Sequence, residues 1–326
     1  MSNIATAEIP ALAKPEAPAR ARRVSDRRGV GAVIEACKPG ITRLVTVTSA
    51  VGFVMAALTR PWSIWEFAWL GAVTLVGTAL SAAGANAINQ WMERERDARM
   101  ERTRGRPIPS GRIRPGTILW SGVGLSSVGV GLLFLAGPAP AVISLACVLS
   151  YVLWYTPLKT RTTLATFVGA IPGGLPPLIG STAALGGGFG AVTAPVGLSL
   201  LAVMLIWQLP HFLAIAWMYR EDYARGGYRV LPVIDSDGRW TSATMVLWAW
   251  ALLPASLLPA VFLPDRLGIV YPLVAVGTGV VYAVLCARLA ATRERAHAKQ
   301  VFFASIAHLP ILLTVMVGEG VVRSLV

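Results

Sequence analysis

Apolar residues in this chain come in long uninterrupted runs, not in the period-two alternation of a half-buried strand or the narrow stripe of a surface helix. Nine runs approach the roughly 20 residues that carry a helix across hydrocarbon: about 41–59, 63–91, 117–136, 139–157, 163–184, 195–219, 241–262, 269–290 and 301–321. Charged residues gather in the gaps between them. The pattern predicts an all-α polytopic membrane protein with nine transmembrane helices. Residues 1–35 are rich in Ala, Pro, Arg and Glu and lack an apolar run. A disordered tail is expected there, followed by one transmembrane domain over 36–326. The tail has no apolar h-region of a cleaved signal peptide, and Glu8, Glu16, Asp26 and Glu35 count against an acid-poor organellar presequence.

Composition narrows the class. The 326 residues are 55% hydrophobic and 14% charged, against roughly 25% charged in a soluble domain. A net charge of +13 could point to nucleic acid or to anionic lipid, and its distribution decides. With the nine runs alternating across a bilayer, 26 of the 29 Lys and Arg residues fall on the side of the N-terminus and 3 on the other. That asymmetry predicts a cytoplasmic N-terminus and an external C-terminus. The partner is the lipid bilayer, and no nucleic acid is expected. The short tail and compact loops favour a bacterial inner membrane over a mitochondrial one. Cys37, Cys147 and Cys286 are isolated, so neither a disulfide framework nor a cysteine metal site is read.

Two polar loops stand out, 92–116 and 218–240, following the second and sixth runs. Their spacing suggests two four-helix halves with an appended ninth helix, the loops facing each other over one cytoplasmic mouth. The first begins Asn89-Gln-Trp-Met-Glu93-Arg-Glu95-Arg-Asp97. On a helix Asn89, Glu93 and Asp97 share one face, drifting about 40° per step. Amide and carboxylate oxygens at that spacing, among arginines, suit a magnesium-bound diphosphate: carboxylates take the hard cation and guanidinium groups the phosphate oxygens. A solvated helix end with pairs such as Glu95–Arg99 is the plainer reading. Asn86, on the same stripe inside an apolar run, argues against it.

The second cluster holds Gln208 and His211, then Arg220-Glu-Asp222-Tyr-Ala-Arg225. It reads either as a second metal site or as interface residues of an aromatic belt. Lys159 and Arg161 close the fourth run and add two cations to the same mouth. In the fifth run, Gly169-Ala-Ile-Pro172-Gly-Gly-Leu-Pro176-Pro177-Leu-Ile-Gly180 breaks backbone hydrogen bonds. A kink lining a substrate chamber and a kink made by close packing are both open. His308, in the last run, either lines a cavity or bonds a neighbouring helix.

Together these residues resemble the intramembrane prenyltransferases of the UbiA superfamily, over about residues 35–322. The superfamily's first motif, Asn-x3-Asp-x3-Asp, reads here Asn89-x3-Glu93-x3-Asp97, with Glu in the middle place. Met100-Glu-Arg102-Thr-Arg-Gly-Arg106-Pro107, Tyr155-Thr-Pro-Leu-Lys159, Trp207-Gln-Leu-Pro-His211-Phe and Arg220-Glu-Asp222-Tyr-Ala-Arg225-Gly-Gly are similar to its haem O branch. The second motif, usually Asp-x3-Asp, is represented only by Asp222 with Glu221 beside it. The resemblance implies a nine-helix bundle around a lipid-accessible cavity. It also implies Mg2+ as cofactor, farnesyl diphosphate and haem B as substrates, haem O as product, and a haem A synthase as partner. Asn89, Glu93, Asp97 and Asp222 would hold the metal, Arg102, Lys159, Arg161 and Arg220 the diphosphate, and His211 the haem. A related enzyme with an aromatic or chlorin acceptor, a transporter, and a non-catalytic haem-binding factor are the competing expectations.

Overall fold

The computed structural model describes residues 28–326, so most of the expected 1–35 tail lies outside the described residues. Among the described residues every regular element is helical. A short α1 (Val30–Ala36) precedes α2 (Pro39–Ala57), α3 (Ile64–Asp97), α4 (Pro115–Leu133) and α5 (Pro138–Leu149). A π-helical stretch, Ser150–Tyr155, joins α5 to α6 (Thr156–Leu158). Then come α7 (Ala165–Gly174), α8 (Pro176–Ala184), α9 (Pro195–Met218), α10 (Arg220–Arg225), α11 (Leu231–Ile234), α12 (Arg239–Phe262), α13 (Val270–Thr292) and α14 (Arg295–Leu325).

Eight of these segments are long and apolar enough to cross a membrane, counting α5 to α6 as one. The remaining expected span, 163–184, is α7 and α8 with a kink between them, so the count of nine is approximate. Pro176 lacks an N–H, which removes the intrahelical donor to the Pro172 carbonyl. The Cys147 thiol donates to that carbonyl instead, at 3.1 Å. Gln208 Nε2, on α9, donates to the Ala170 carbonyl at 2.7 Å. Every residue of α8 is buried. The kink is therefore closed by packing, and Gln208 serves it.

Close helix contact accounts for several of the glycines. A Cβ on Gly180 would sit 1.9 Å from the Ser49 carbonyl oxygen, and one on Gly52 2.0 Å from that of Pro177, so α2 and α8 pack backbone to backbone. In a bilayer, where lipid is as apolar as the core, such small-residue contacts are a principal source of helix association. Trp65, Leu247, Leu273 and Val326 are among the large apolar side chains left exposed on the outside of the bundle, as a lipid-facing surface requires.

The site is positioned by the length of α3. Its 34 residues span about 51 Å at a rise of roughly 1.5 Å each, well beyond a hydrocarbon core of about 30 Å. Ser63 Oγ caps the far end by accepting the Glu66 N–H at 3.1 Å. The last turns, carrying Asn89 to Asp97, thus reach one mouth of the bundle.

Candidate active site at one mouth of the bundle

The stripe on α3 is buried: Asn89, Glu93 and Asp97 are 0%, 5% and 0% exposed. A solvated helix end is thereby excluded. Each of the three meets a cation from a different element. Lys38, between α1 and α2, donates from Nζ to Asn89 Oδ1. Lys159, just after α6, donates from Nζ to Glu93 Oε1 at 2.8 Å. Arg106 Nη1 reaches both oxygens of Asp97, at 2.8 and 2.6 Å. Asn89 Nδ2 also donates to Thr156 Oγ1 at 2.9 Å, and that hydroxyl donates to the Tyr151 carbonyl at 2.8 Å. The π-helical turn makes this contact: its five-residue reach brings Tyr151 and Thr156 together, and such turns are frequent at functional sites. Tyr151 Oη further contacts Asn86 Oδ1 at 3.4 Å.

Three cations against two carboxylates leave a local excess of positive charge. The ionisation of the groups outside the spans is set by burial and by which carboxylate each cation meets. Burial depresses the Lys38 ammonium, Arg106 adds to this, and Glu93 only partly opposes it, so its pKa falls to about 7. Burial also works against Lys159, but Glu93 and the surrounding tyrosines outweigh it and hold its pKa well above the ordinary lysine value. Arg106 is likewise raised, its burial overcome by Asp97.

The second polar loop folds onto the first, as expected for facing loops. Asp222 is buried and Glu221 exposed, so Asp222 is the inward carboxylate. It accepts the backbone N–H groups of Glu101 and Arg102 at 3.0 and 3.1 Å and an Arg225 guanidinium N–H. Burial would raise its pKa, but Arg225 and the two N–H donors lower it overall. Arg102 lies over the rings of Tyr219 and Tyr223 at 5.0 and 5.3 Å. The Arg229 N–H donates to the Lys159 carbonyl at 2.8 Å, tying the third cationic segment to the same mouth.

The predicted residues thus divide. Asn89, Glu93, Asp97 and Lys159 form one cluster. Asp222 and Arg102 meet each other beside it, with no contact from Asp222 to the α3 stripe. The Arg161 and Arg220 side chains are exposed and make no hydrogen bond or ion pair among the described residues. His211 lies further into the bundle, stacked between Trp207 and Phe302 at 4.9 and 5.4 Å, with Nδ1 2.7 Å from Ser305 Oγ. Sequence reasoning missed Lys38 altogether and did not single out Arg106. The Lys-Pro step that opens α2 was the available signal for the first.

Among the described residues no group of three or more His, Cys, Asp or Glu side chains stands ready as a metal site. The donor chemistry of the α3 stripe nevertheless fits magnesium: an amide and two carboxylates offer hard oxygens on one face.

The family profile described as the UbiA prenyltransferase family matches residues 44–307. The chain belongs to that family. Among relatives of this UbiA-family chain, the protoheme IX farnesyltransferase of Solibacter usitatus (strain Ellin6076) is 39% identical, covering 87% of this chain and 96% of its own. That of Anaeromyxobacter sp. (strain Fw109-5) is 41% identical, covering 86% and 90%. The bundle superposes on a structure of digeranylgeranylglyceryl phosphate synthase with a TM-score of 0.72 at 17% identity, over 90% of this chain and 98% of that one. It also matches a UbiA homolog from Archaeoglobus fulgidus bound to DMAPP and Mg2+, with a TM-score of 0.59 at 13% identity, over 88% and 99%. At those identities the structures establish the fold: an intramembrane prenyltransferase bundle.

Proposed function

We infer that this enzyme transfers the farnesyl group of farnesyl diphosphate to the 2-vinyl group of haem B, with addition of water, giving haem O and diphosphate. One observation carries the reading. Eight relatives, 34% to 43% identical, all bear the name protoheme IX farnesyltransferase. Haem O is the precursor that a haem A synthase consumes, so that enzyme is the expected partner in the same membrane. The cation-rich mouth faces the cytoplasm of a bacterial inner membrane, following the distribution of Lys and Arg.

Asn89, Glu93 and Asp97 would hold magnesium, with Asp222 as the carboxylate offered by the second loop. The metal, when bound, acts as a Lewis acid on the diphosphate. Lys159 and Arg102 stabilise the negative charge that grows on the leaving group, and Arg161 and Arg220 extend that field at the rim. The farnesyl C1–O bond breaks, leaving diphosphate and an allylic cation. The vinyl terminus supplies the electron pair for the new C–C bond. Water then captures the resulting cation beside the porphyrin ring and loses a proton. Apolar helix faces keep water from the allylic cation until that bond has formed. The Ser305 hydroxyl donates to the Phe302 carbonyl, so His211 Nδ1 donates to Ser305 and the Nε2 lone pair is left for the haem iron.

Product mass spectrometry tests the reading. Detergent-purified protein with haem B, farnesyl diphosphate and Mg2+ is expected to yield a haem heavier by one farnesyl group and one hydroxyl. Prenylation of a phenolic or chlorin acceptor, with haem B untouched, would keep the prenyl transfer and discard haem as the acceptor.

A further inference from the structure

The α3 stripe raises a question of charge. The oxygens best suited to a divalent cation are already engaged by Lys38, Lys159 and Arg106. These three cations come from separate elements, the α1–α2 junction and the loops after α6 and α3. Lys38 is held there deliberately. Its backbone is left-handed, φ 49°, a conformation that costs a non-glycine residue of order 1 kcal/mol or more and persists only where surroundings fix it. The fixing contacts are visible. Ala32 and Ala36 of α1 are fully buried. Glu35, one turn before Lys38, pairs with Arg112 through two contacts of 2.8 Å, and Arg112 also donates to the Gly105 carbonyl at 2.7 Å. The segment before α2 is thereby strapped to the same loop that carries Arg106.

The geometry points to a charge-exchange site, in which Lys38, Lys159 and Arg106 hold the α3 oxygens until a metal and a diphosphate enter together. A divalent ion entering alone must displace these cations from their oxygens with no new anion brought for them, and it adds to the positive charge already gathered there. A metal–diphosphate pair brings one net negative charge. The metal takes the amide and carboxylate oxygens, and the displaced ammonium and guanidinium groups turn to phosphate oxygens. Metal and diphosphate then bind with positive coupling, each strengthening the other by the same factor. Lys38 is in this account a diphosphate-binding residue delivered by the N-terminal strap. The inference rests on the metal-binding role proposed above for Asn89, Glu93 and Asp97, and not on the identity of the prenyl acceptor.

The test uses the full chain in detergent, with Mn2+ read by electron paramagnetic resonance and a non-reacting farnesyl thiodiphosphate as probe. The parent protein is expected to bind Mn2+ about tenfold or more tightly with the probe present than without it. Lys38→Met should bind Mn2+ alone more tightly, bind the probe several-fold more weakly, and lose most of the coupling. Lys38→Arg, which keeps the charge, should retain the coupling. Equal Mn2+ affinity with and without probe would overturn the inference. So would a Lys38→Met protein in which Mn2+ alone binds as in the parent or more weakly, since a purely structural role weakens both ligands. An Asp97→Asn control separates the two levels: unchanged Mn2+ binding there removes the α3 metal assignment itself.

Discussion

Arg106 is the side chain on which the buried charge of Asp97 depends. The Asp97 side chain is 0% exposed and the Arg106 side chain 26% exposed, and one guanidinium nitrogen reaches both carboxylate oxygens. Arg106→Met keeps the aliphatic stem and removes the charge. It leaves a buried carboxylate with no ion-pair partner of its own, a change that costs about 3–5 kcal/mol when a buried pair is broken on one side. Arg104 provides the internal control, since it lies on the same loop but is exposed; Arg104→Met should stay within about 0.5 kcal/mol. In Asp97→Asn/Arg106→Met no charge is stranded, so the double variant should recover about 2 kcal/mol or more of the loss, measured as a coupling energy. The assay is thermal unfolding in detergent at one scan rate, because unfolding of such a protein is commonly irreversible and the midpoint depends on rate. A single Arg106→Met variant as stable as Arg104→Met would refute the argument. So would a double variant whose loss equals the sum of the two single losses.

Three further outcomes follow from contacts elsewhere. Gly180→Ala should prevent stable insertion or lower the unfolding midpoint sharply, because its Cβ would lie 1.9 Å from a backbone oxygen on α2, whereas Gly124→Ala meets nothing within 4 Å and should be tolerated; expression level and thermal midpoint compare the pair. Cys147→Ala leaves the Pro172 carbonyl without its thiol donor and should cost about 1 kcal/mol, read by the same unfolding assay. Asp222→Ala releases the Glu101 and Arg102 amides, so hydrogen exchange at those two positions should rise while exposed Glu221→Ala leaves them protected; equal exchange in both variants would deny Asp222 its anchoring role.

Much of this architecture is legible in the chain because membrane burial writes it in long apolar runs. The runs locate each long helix, although α3 and α14 extend well over a turn beyond theirs, and the Lys and Arg distribution picks out the mouth where the polar loops meet. The fifth run shows where periodicity stops being informative. Pro172, Pro176 and Pro177 announce a break, but whether a cavity or neighbouring side chains meet the carbonyls around it depends on tertiary contacts. The partners are Cys147 and Gln208, from two other helices. Gln208 carried a candidate site role in the sequence and has a structural one in the bundle. The same limit governs the charges. The i,i+4 stripe of Asn89, Glu93 and Asp97 follows from helical geometry alone. Which of eight basic residues in 92–116 meets Asp97 depends on the path of an irregular loop. Lys38 reaches Asn89 across 51 residues of sequence, a distance that no local pattern encodes. The turn after α9 likewise buries Asp222 and exposes Glu221, a difference that no local pattern encodes.

The central claim is that this mouth splits the farnesyl C1–O bond and that water ends on the haem side chain. Reaction of haem B, farnesyl diphosphate and Mg2+ in 18O-labelled water tests both halves at once. The account predicts one 18O in the farnesylated haem, none in the released diphosphate, and no product from Asp97→Asn or after EDTA treatment. Label in the diphosphate, or an unlabelled haem product, would contradict it.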